Sequence, residues 1–180
     1  MKTENEQLVL ACLKHDPRAQ KQLYDRFAPT MLALCIRYMG NRDEAQDVLQ
    51  DGFVKVFNSL RNLKDAAQLR SWIERIMINT ALSSLRKKVD LVSIDEIPLG
   101  GNDFQVVNDL TQYDIDKIQQ AITELPRMLR TTFNLREVEG YSDKEIAQQL
   151  GVGESTVRSN ASRARQMLIA KLEKMGIHQR

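Results

Sequence analysis

Apolar residues recur at helical spacing along most of the chain. The longest such pattern runs from Ala45 to Leu60, where apolar residues return every three or four positions over more than four turns. Similar spacing extends over residues 4–88 and includes a predicted helix over residues 69–87 that carries Trp72. Pairs of β-branched residues in strict alternation, which would indicate strands, are missing from the sequence. The pattern therefore predicts an all-α fold.

Helix-breaking and helix-capping residues divide this pattern into segments. Asp16-Pro17 and Pro29 predict the starts of two helices, and Gly40 predicts the end of the second. Residues 41–44 resemble a capping box that opens the next helix. The first half of the chain is thus predicted to be a bundle of several helices.

The helical pattern stops after the first 90 residues. Residues 89–116 contain seven acidic residues and no Lys or Arg, and Pro98 and Gly100-Gly101 break any periodicity. A segment of this composition is typical of a flexible tether. We therefore expect two small helical domains, over residues 1–90 and 114–180, joined by a flexible acidic linker over residues 91–113.

The second helical block has the layout of a helix-turn-helix. Ser142 to Glu145 form a capping box before a short helix, and Gly151 is suited to the turn that follows it. In the next helix a narrow apolar stripe predicts the packed side, and it consists of Val157, Ala161, Ala164 and Leu168. The opposite side carries hydroxyl and guanidinium groups, which suit phosphates and base edges. These candidate DNA-binding residues are Ser155, Thr156, Arg158, Ser159, Ser162, Arg163 and Arg165.

Charge is distributed unevenly along the chain. The formal net charge is only +2, so attraction to nucleic acid has to come from local patches. Residues 155–174 contain five basic residues against Glu173 alone, whereas the linker is acidic. This asymmetry favours the second block as the nucleic-acid interface.

The remaining chemistry is sparse. Cys12 and Cys35 are expected to be reduced, buried thiols, and His15 and His178 lack the spacing of a metal site. There is no Gly-rich phosphate loop, Cys/His pair or acid pair with an obvious role, so we expect no metal, no cofactor and no enzymatic activity. Without a signal-peptide layout or an apolar run long enough for a bilayer, the sequence predicts a cytoplasmic protein with no membrane insertion.

Two long segments resemble one family. The text "ITELPRMLRTTFNLREVEGYSDKEIAQQLGVGESTVRSNASRARQML" is similar to domain 4 of bacterial sigma factors of the extracytoplasmic-function (ECF) group, with its LP, G-[YL]-S-x-x-E-I-A and TV-[KR]-S…RAR motifs. The text "YDRFAPTMLALCIRYMGNRDEAQDVLQDGFVKVFNSLRNLKDAAQLRSWIERIMINTALSSLRKK" resembles domain 2, with D-V-x-Q-[DE]-x-F, R-x-W and N-T. One departure is Asn160-Ala161, where the family usually has a basic and a larger aliphatic residue. This departure implies one fewer DNA contact and a thinner packing stripe.

The resemblance implies a sigma factor that binds core RNA polymerase and directs promoter-specific initiation. Domain 4 would bind the -35 element, domain 2 would bind the polymerase clamp and the melted -10 element, and an anti-sigma factor is an expected partner. The clamp-binding residues would be Asp47, Gln50 and Asp51. A pocket for a flipped base would be formed by Asn62, Leu63, Lys64 and Asp65. Contacts to promoter DNA near the -10 element would come from Arg75, Asn79, Arg86 and Lys87.

Simpler interpretations stand beside these. The loop over residues 61–68 also fits a plain surface connection, the acids of the 45–60 helix also fit a solvated face, and Trp72 fits a core anchor better than a stacking platform. A stand-alone helix-turn-helix regulator would explain residues 142–165 but not the first block. A sigma mimic that titrates an anti-sigma factor would be expected to lose the basic face. A nucleic-acid enzyme would need metal ligands that the sequence lacks.

Overall fold

The computed structural model describes residues 3–89 and 112–177, which form eight α-helices and, over those two ranges, no strand. The all-α prediction is confirmed. The chain divides into two compact units, Met1–Lys87 and Lys88–Arg180. The expected acidic linker falls on residues 91–113, of which residues 91–111 lie outside the described part of the chain.

The first unit contains four α-helices. They are α1 (Glu4–Leu13), α2 (Pro17–Met39), α3 (Arg42–Ser59) and α4 (Leu69–Val89), with 3-10 turns at Leu60–Asn62 and Ala66–Gln68 between the last two. Helix α2 packs along α3 and also contacts α1. Large side chains fill the resulting core without exposure to solvent, among them Leu23, Met31, Tyr38, Ile73 and Met77. Burial of this continuous apolar face is what the helical spacing of the sequence requires.

Helix α2 corrects one expectation. Pro29 lies inside this 23-residue helix, so the prediction that Pro29 begins a new helix is wrong. A proline within a helix removes one backbone hydrogen bond and crowds the preceding turn, at a cost of about 3 kcal/mol. Phe27, Ala28 and Met31 are buried on either side of it, and their packing offsets that cost. The helix ends at Gly40, where φ is 81° and the backbone is left-handed.

The second unit also contains four α-helices. They are α5 (Gln112–Thr123), α6 (Arg127–Phe133), α7 (Asp143–Leu150) and α8 (Glu154–Lys174), and a π-helical turn at Asn134–Val138 continues α6. Helix α8 packs against each of the other three. The core between them is apolar and is formed mainly by Leu125, Leu129, Leu135, Ile146, Val157, Leu168 and Leu172.

A buried arginine fixes the connection between α5 and α6. Arg130 is 6% exposed, and its Nη1 donates hydrogen bonds to the carbonyl oxygens of Thr123 (2.6 Å) and Leu125 (3.0 Å). These carbonyls follow the end of α5, where the backbone lacks helical partners. The charge-assisted bonds therefore hold the turn on which α8 packs.

Close packing of α3 against α4 generates a stability prediction. A Cβ atom on Gly52 would overlap Sδ of Met77, a side chain with no solvent exposure. Overpacking of this kind costs about 1–3 kcal/mol, whereas alanine gains about 1 kcal/mol over glycine within a helix. We expect Gly52→Ala to lower the free energy of unfolding by about 1 kcal/mol, measured by urea titration with the single tryptophan, Trp72, as fluorescent probe.

The matched control removes the obstacle. In a Met77→Val background the Sδ and Cε atoms are gone, so the same Gly52→Ala change should be neutral or stabilising. Stabilisation by Gly52→Ala in the unmodified protein would contradict this account of the α3–α4 contact.

Candidate nucleic-acid interface

Local cap chemistry builds the helix-turn-helix. The Ser142 hydroxyl accepts a hydrogen bond from the N–H of Glu145 (3.3 Å), and the backbone N–H of Ser142 donates to Glu145 Oε2 (2.9 Å). The Ser142 hydroxyl also donates to that carboxylate, and these bonds hold the pKa of Glu145 below its usual value. Gly151 adopts a left-handed φ of 70° and ends α7. The predicted capping box and turn are both confirmed.

The apolar stripe of α8 is buried as predicted. Val157, Ala161, Ala164 and Leu168 are at most 6% exposed, and they face the α5, α6 and α7 side of the unit. With this stripe inward, the hydroxyl and guanidinium side points to solvent. Ser155, Thr156 and Arg158 are exposed, and Ser159, Ser162, Arg163 and Arg165 are half-buried. The seven candidates therefore lie outside the buried stripe of α8, with Arg158 and Arg165 on one flank of the helix and Thr156 on the other. The Nε atom of Arg163 is buried.

Asn160 lies on the packed side of α8. Its side chain is 2% exposed, so Asn160 itself does not face solvent. That the departure from the family's basic residue leaves one fewer DNA contact stays a prediction. Helical spacing explains the position, because residue 160 lies three residues after Val157 and next to Ala161 on the same side. Its Nδ2 atom is buried and finds no hydrogen-bond partner within the described ranges.

Three acidic side chains, two of them outside α8, contact two of its arginines. Arg165 Nη2 lies 2.6 Å from Oε1 of Glu137, which belongs to the π-helical turn. Arg158 Nη1 lies 4.0 Å from Oδ2 of Asp143 in α7 and 3.7 Å from Oε2 of Glu154. Glu137 and Asp143 could not be recognised from the spacing of α8 alone, because they lie on other elements of the unit.

A third arginine joins the two acids to each other. Arg136 Nε lies 3.4 Å from Oδ1 of Asp143 and 3.8 Å from Oε1 of Glu137. The six side chains thus form one chain of charges across the π-helical turn, α7 and α8. A single sequence gives no signal for it, because the Arg165–Glu137 pair joins residues 28 positions apart.

In the first unit, the candidate polymerase-binding residues share one side of α3. Asp47, Gln50 and Asp51 are all exposed. Val54 follows them on the same side and is 59% exposed, an unusual position for a large apolar residue in the middle of a helix. Phe53 is buried, with its ring centroid 4.6 Å from that of Tyr24, so Phe53 belongs to the core.

The loop between α3 and α4 is more ordered than a plain connection. Asn62, Lys64 and Asp65 are exposed, and Leu63 is half-buried. Asp65 Oδ1 accepts a hydrogen bond from the N–H of Ala67 (2.9 Å) and so caps the second 3-10 turn. Asn5 of α1 donates to the carbonyl oxygen of Ala66 (3.2 Å). These two hydrogen bonds hold one side of the loop in place, while the side chains on its outer side remain accessible.

The remaining candidates lie on α4. Arg75, Asn79 and Arg86 are exposed, and their spacing of four and seven residues places them along one side of the helix. Lys87 belongs to the same helix, but its side chain lies outside the described part of the chain. Trp72 is half-buried, which agrees with a role as anchor of α4 on the core.

The two cysteines of the first unit are buried thiols. Cys12 and Cys35 are free and buried, and burial raises the pKa of the Cys35 thiol to about 12. A neutral, buried thiol is a poor nucleophile.

Among residues 3–89 and 112–177, no group of His, Cys, Asp and Glu is arranged to bind a metal ion. Within those same ranges, none of the helices combines the length and apolar character needed to cross a membrane.

Comparison with known proteins agrees with this architecture. The family model for sigma-70 region 2 matches residues 23–89, and the one for sigma-70 region 4 matches residues 115–168. The RNA polymerase sigma-H factor of Pseudomonas aeruginosa is 30% identical over 183 residues and covers 94% of each chain. The ECF RNA polymerase sigma-E factor of Escherichia coli K12 is 29% identical over 92% of this chain and 93% of its own.

Solved structures with a similar fold were found as well. The sigma factor RpoE in complex with the anti-sigma factor NepR from Bartonella quintana is 23% identical, covers 85% of this chain and 96% of its own, and has a TM-score of 0.49. CnrH in complex with the cytosolic domain of CnrY is 24% identical, covers 93% and 96%, and has a TM-score of 0.46.

The relatives define what kind of protein this is. They are named as sigma factors, which are regulatory subunits that act in transcription initiation by RNA polymerase and are not enzymes themselves. Both family regions occur in this chain, in order, and the sigma-H relative spans nearly its whole length. The chain therefore belongs to the extracytoplasmic-function group of the sigma-70 family of RNA polymerase sigma factors.

Proposed function

We propose that this protein binds core RNA polymerase, recognises a -35 and a -10 promoter element, and assists melting of the DNA. The observation that carries the proposal is the exposed hydroxyl and guanidinium side of α8, which a complete helix-turn-helix presents to solvent. Residues 1–90 would act as the domain for polymerase and the -10 element, and residues 114–180 as the domain for the -35 element.

Helix α8 is the proposed recognition helix. In helix-turn-helix proteins the N-terminal residues of this helix contact base edges in the major groove. Arg158 is 58% exposed and lies in the second turn of α8, so it is our candidate for reading guanine through two hydrogen bonds. Arg163 is a second candidate for base contacts, and Arg165 is better placed for phosphate. The short side chains Ser155, Thr156, Ser159 and Ser162 let the helix approach the DNA closely.

The exposed side of α3 is the proposed polymerase contact. It combines the carboxylates of Asp47 and Asp51, the amide of Gln50 and the apolar surface of Val54. An apolar centre with a polar rim is the usual composition of a protein–protein interface. The carboxylates would pair with basic residues of the polymerase and set the orientation of the complex.

The loop and α4 are the proposed -10 contact. Extraction of a base from the stack costs a few kcal/mol of stacking free energy, so the pocket that receives the base has to supply an apolar wall and hydrogen bonds. Leu63 offers the wall, and Asn62, Lys64 and Asp65 offer polar groups, one carboxylate oxygen of Asp65 being already bound within the loop. Arg75, Asn79, Arg86 and Lys87 would hold the backbone of the adjacent DNA.

Regulation and location follow from the same proposal. Membership of the ECF group supports an anti-sigma factor as a further partner, and such a protein would act by covering the α3 or the α8 surface. A protein that binds RNA polymerase and promoter DNA would act in the cytoplasm. No cofactor is needed for this function, since the polymerase performs the chemistry.

The first test concerns polymerase binding. In run-off transcription with core polymerase, the unmodified protein should give transcripts with defined starts, and Asp47→Lys/Asp51→Lys should not. Reversal of two interfacial charges should weaken core binding on the order of tenfold or more, measured by fluorescence anisotropy. Asp25→Lys, an exposed acid of α2, is the matched control. Unchanged affinity of the double variant, with native circular dichroism, would rule out the α3 contact.

The second test concerns melting. Leu63→Gly/Lys64→Ser removes the proposed wall and one polar group but leaves Asp65 and Ala66, which hold the loop, in place. Binding of the full chain to duplex promoter DNA should be unchanged, while permanganate reactivity of the -10 thymines with holoenzyme should fall several-fold. Gln68→Ser, exposed in the same loop, should behave as wild type. Full reactivity of the double variant would argue against a base pocket.

The third test separates the arginines of α8. Arg158→Ala should relax base preference at one or two positions of the -35 element, since a bidentate arginine–guanine contact is worth about 1–3 kcal/mol of discrimination. Arg165→Ala should weaken binding to every sequence about equally and reduce the salt slope by at most about one. Competition across single-base duplex variants at two salt concentrations measures both. A uniform loss with Arg158→Ala, with the ranking of variants unchanged, would show that α8 is oriented differently.

A further inference from the structure

The side of α8 that is proposed to bind DNA is charge-compensated from within the second unit. Arg136, Arg158 and Arg165 contact Glu137, Asp143 and Glu154, so three positive charges face three negative ones. Arg165 is the most closely engaged, with Nη2 2.6 Å from Glu137 Oε1. A surface that binds a polyanion normally carries uncompensated positive charge. Here Arg136, Arg158 and Arg165 already have partners, whereas Arg163 has no ion pair within the described ranges.

This arrangement turns DNA binding into an exchange reaction. A phosphate that takes Arg165 has to displace the Glu137 carboxylate, which is then left facing the DNA. Arg136 can partly neutralise the freed carboxylate, because its Nε lies 3.8 Å from Glu137 Oε1. The same Nε already pairs with Asp143 at 3.4 Å. The freed carboxylate therefore recruits a cation from solution. That uptake offsets part of the counterion release that drives binding to DNA.

We propose that Glu137 and Asp143 are affinity-determining residues of the DNA interface, competing internal partners that promoter DNA has to displace from Arg165 and Arg158. This inference rests on the proposed role of α8. The two acids lower affinity for every duplex, so the free protein engages DNA only where base contacts compensate. Neither acid needs to touch a base for this role. Asp143, 20% exposed, acts on Arg158 from a longer distance of 4.0 Å, so Glu137 has the larger effect.

The experiment measures duplex affinity of the full chain as a function of salt. The probes are a fluorescein-labelled duplex with the upstream element found by run-off mapping, and a shuffled duplex of the same composition. Exposed ion pairs are worth about 0.2–1 kcal/mol, so Glu137→Gln should bind both duplexes more tightly, by a factor of about 1.4 to 5. The slope of log affinity against log salt concentration should become more negative by up to about one. Asp143→Asn should act in the same direction with a smaller change.

A matched control and a coupled variant make the result specific. Glu124 pairs with Lys171 at 2.5 Å, and Lys171 lies on a different side of α8 from Arg158 and Arg165, so Glu124→Gln removes an equivalent charge away from the interface. It should leave affinity and salt slope unchanged. In an Arg165→Ala background the gain from Glu137→Gln should disappear, because the competed group is gone.

Each outcome has a distinct meaning. Tighter, more salt-dependent binding by Glu137→Gln but not by Glu124→Gln supports the inference. If Glu137→Gln equals its control while Arg165→Ala weakens binding, the competition is overturned and the proposed function stands. Weaker binding by Glu137→Gln would show that the carboxylate positions Arg165 for phosphate, which also overturns it. If Arg165→Ala has no effect on either duplex, the proposed DNA contact of α8 itself fails.

Discussion

The packing of one narrow apolar stripe on α8 organises the whole second unit. Val157, Ala161, Ala164 and Leu168 are buried against α5, α6 and α7, and the same burial turns the polar side of α8 to solvent. Core and interface are therefore two sides of a single helix, fixed by its period of 3.6 residues. A substitution that rotated α8 by one residue would bury an arginine and expose the stripe, so geometry couples the stability of the unit to the proposed DNA recognition.

Local chemistry explains why so much of this fold could be predicted. Helical spacing, the Ser142 capping box and the left-handed Gly40 and Gly151 each depend on residues within one turn of one another. The same holds for the polar side of α8, which follows from the spacing of its stripe. These features need no knowledge of what the helices pack against, so the sequence alone carries them.

Long-range contacts explain what could not be predicted. The sequence predicts a helix start at Pro29, but the burial of Phe27 and Met31 on either side of it keeps α2 continuous. Asn160 reads as a surface residue from its polarity, yet its place between Val157 and Ala164 sends it into the core. Two of the acids that contact Arg158 and Arg165 come from α7 and from the π-helical turn. Partners of this kind depend on tertiary packing, for which a single sequence offers no periodic signal.

Arg75 of α4 differs from Arg158 and Arg165 of α8 in how its positive charge is balanced. The exposed Arg75 has no ion pair with any residue of the described ranges, whereas Arg158 and Arg165 both contact carboxylates. An uncompensated arginine attracts any phosphate, and a compensated one has to exchange partners first. Under the proposed function, compensation of these two arginines limits unproductive binding of the free protein along duplex DNA. Arg75 needs no such restraint, since the proposed ligand of the α4 surface, a melted strand, exists only where polymerase is already bound.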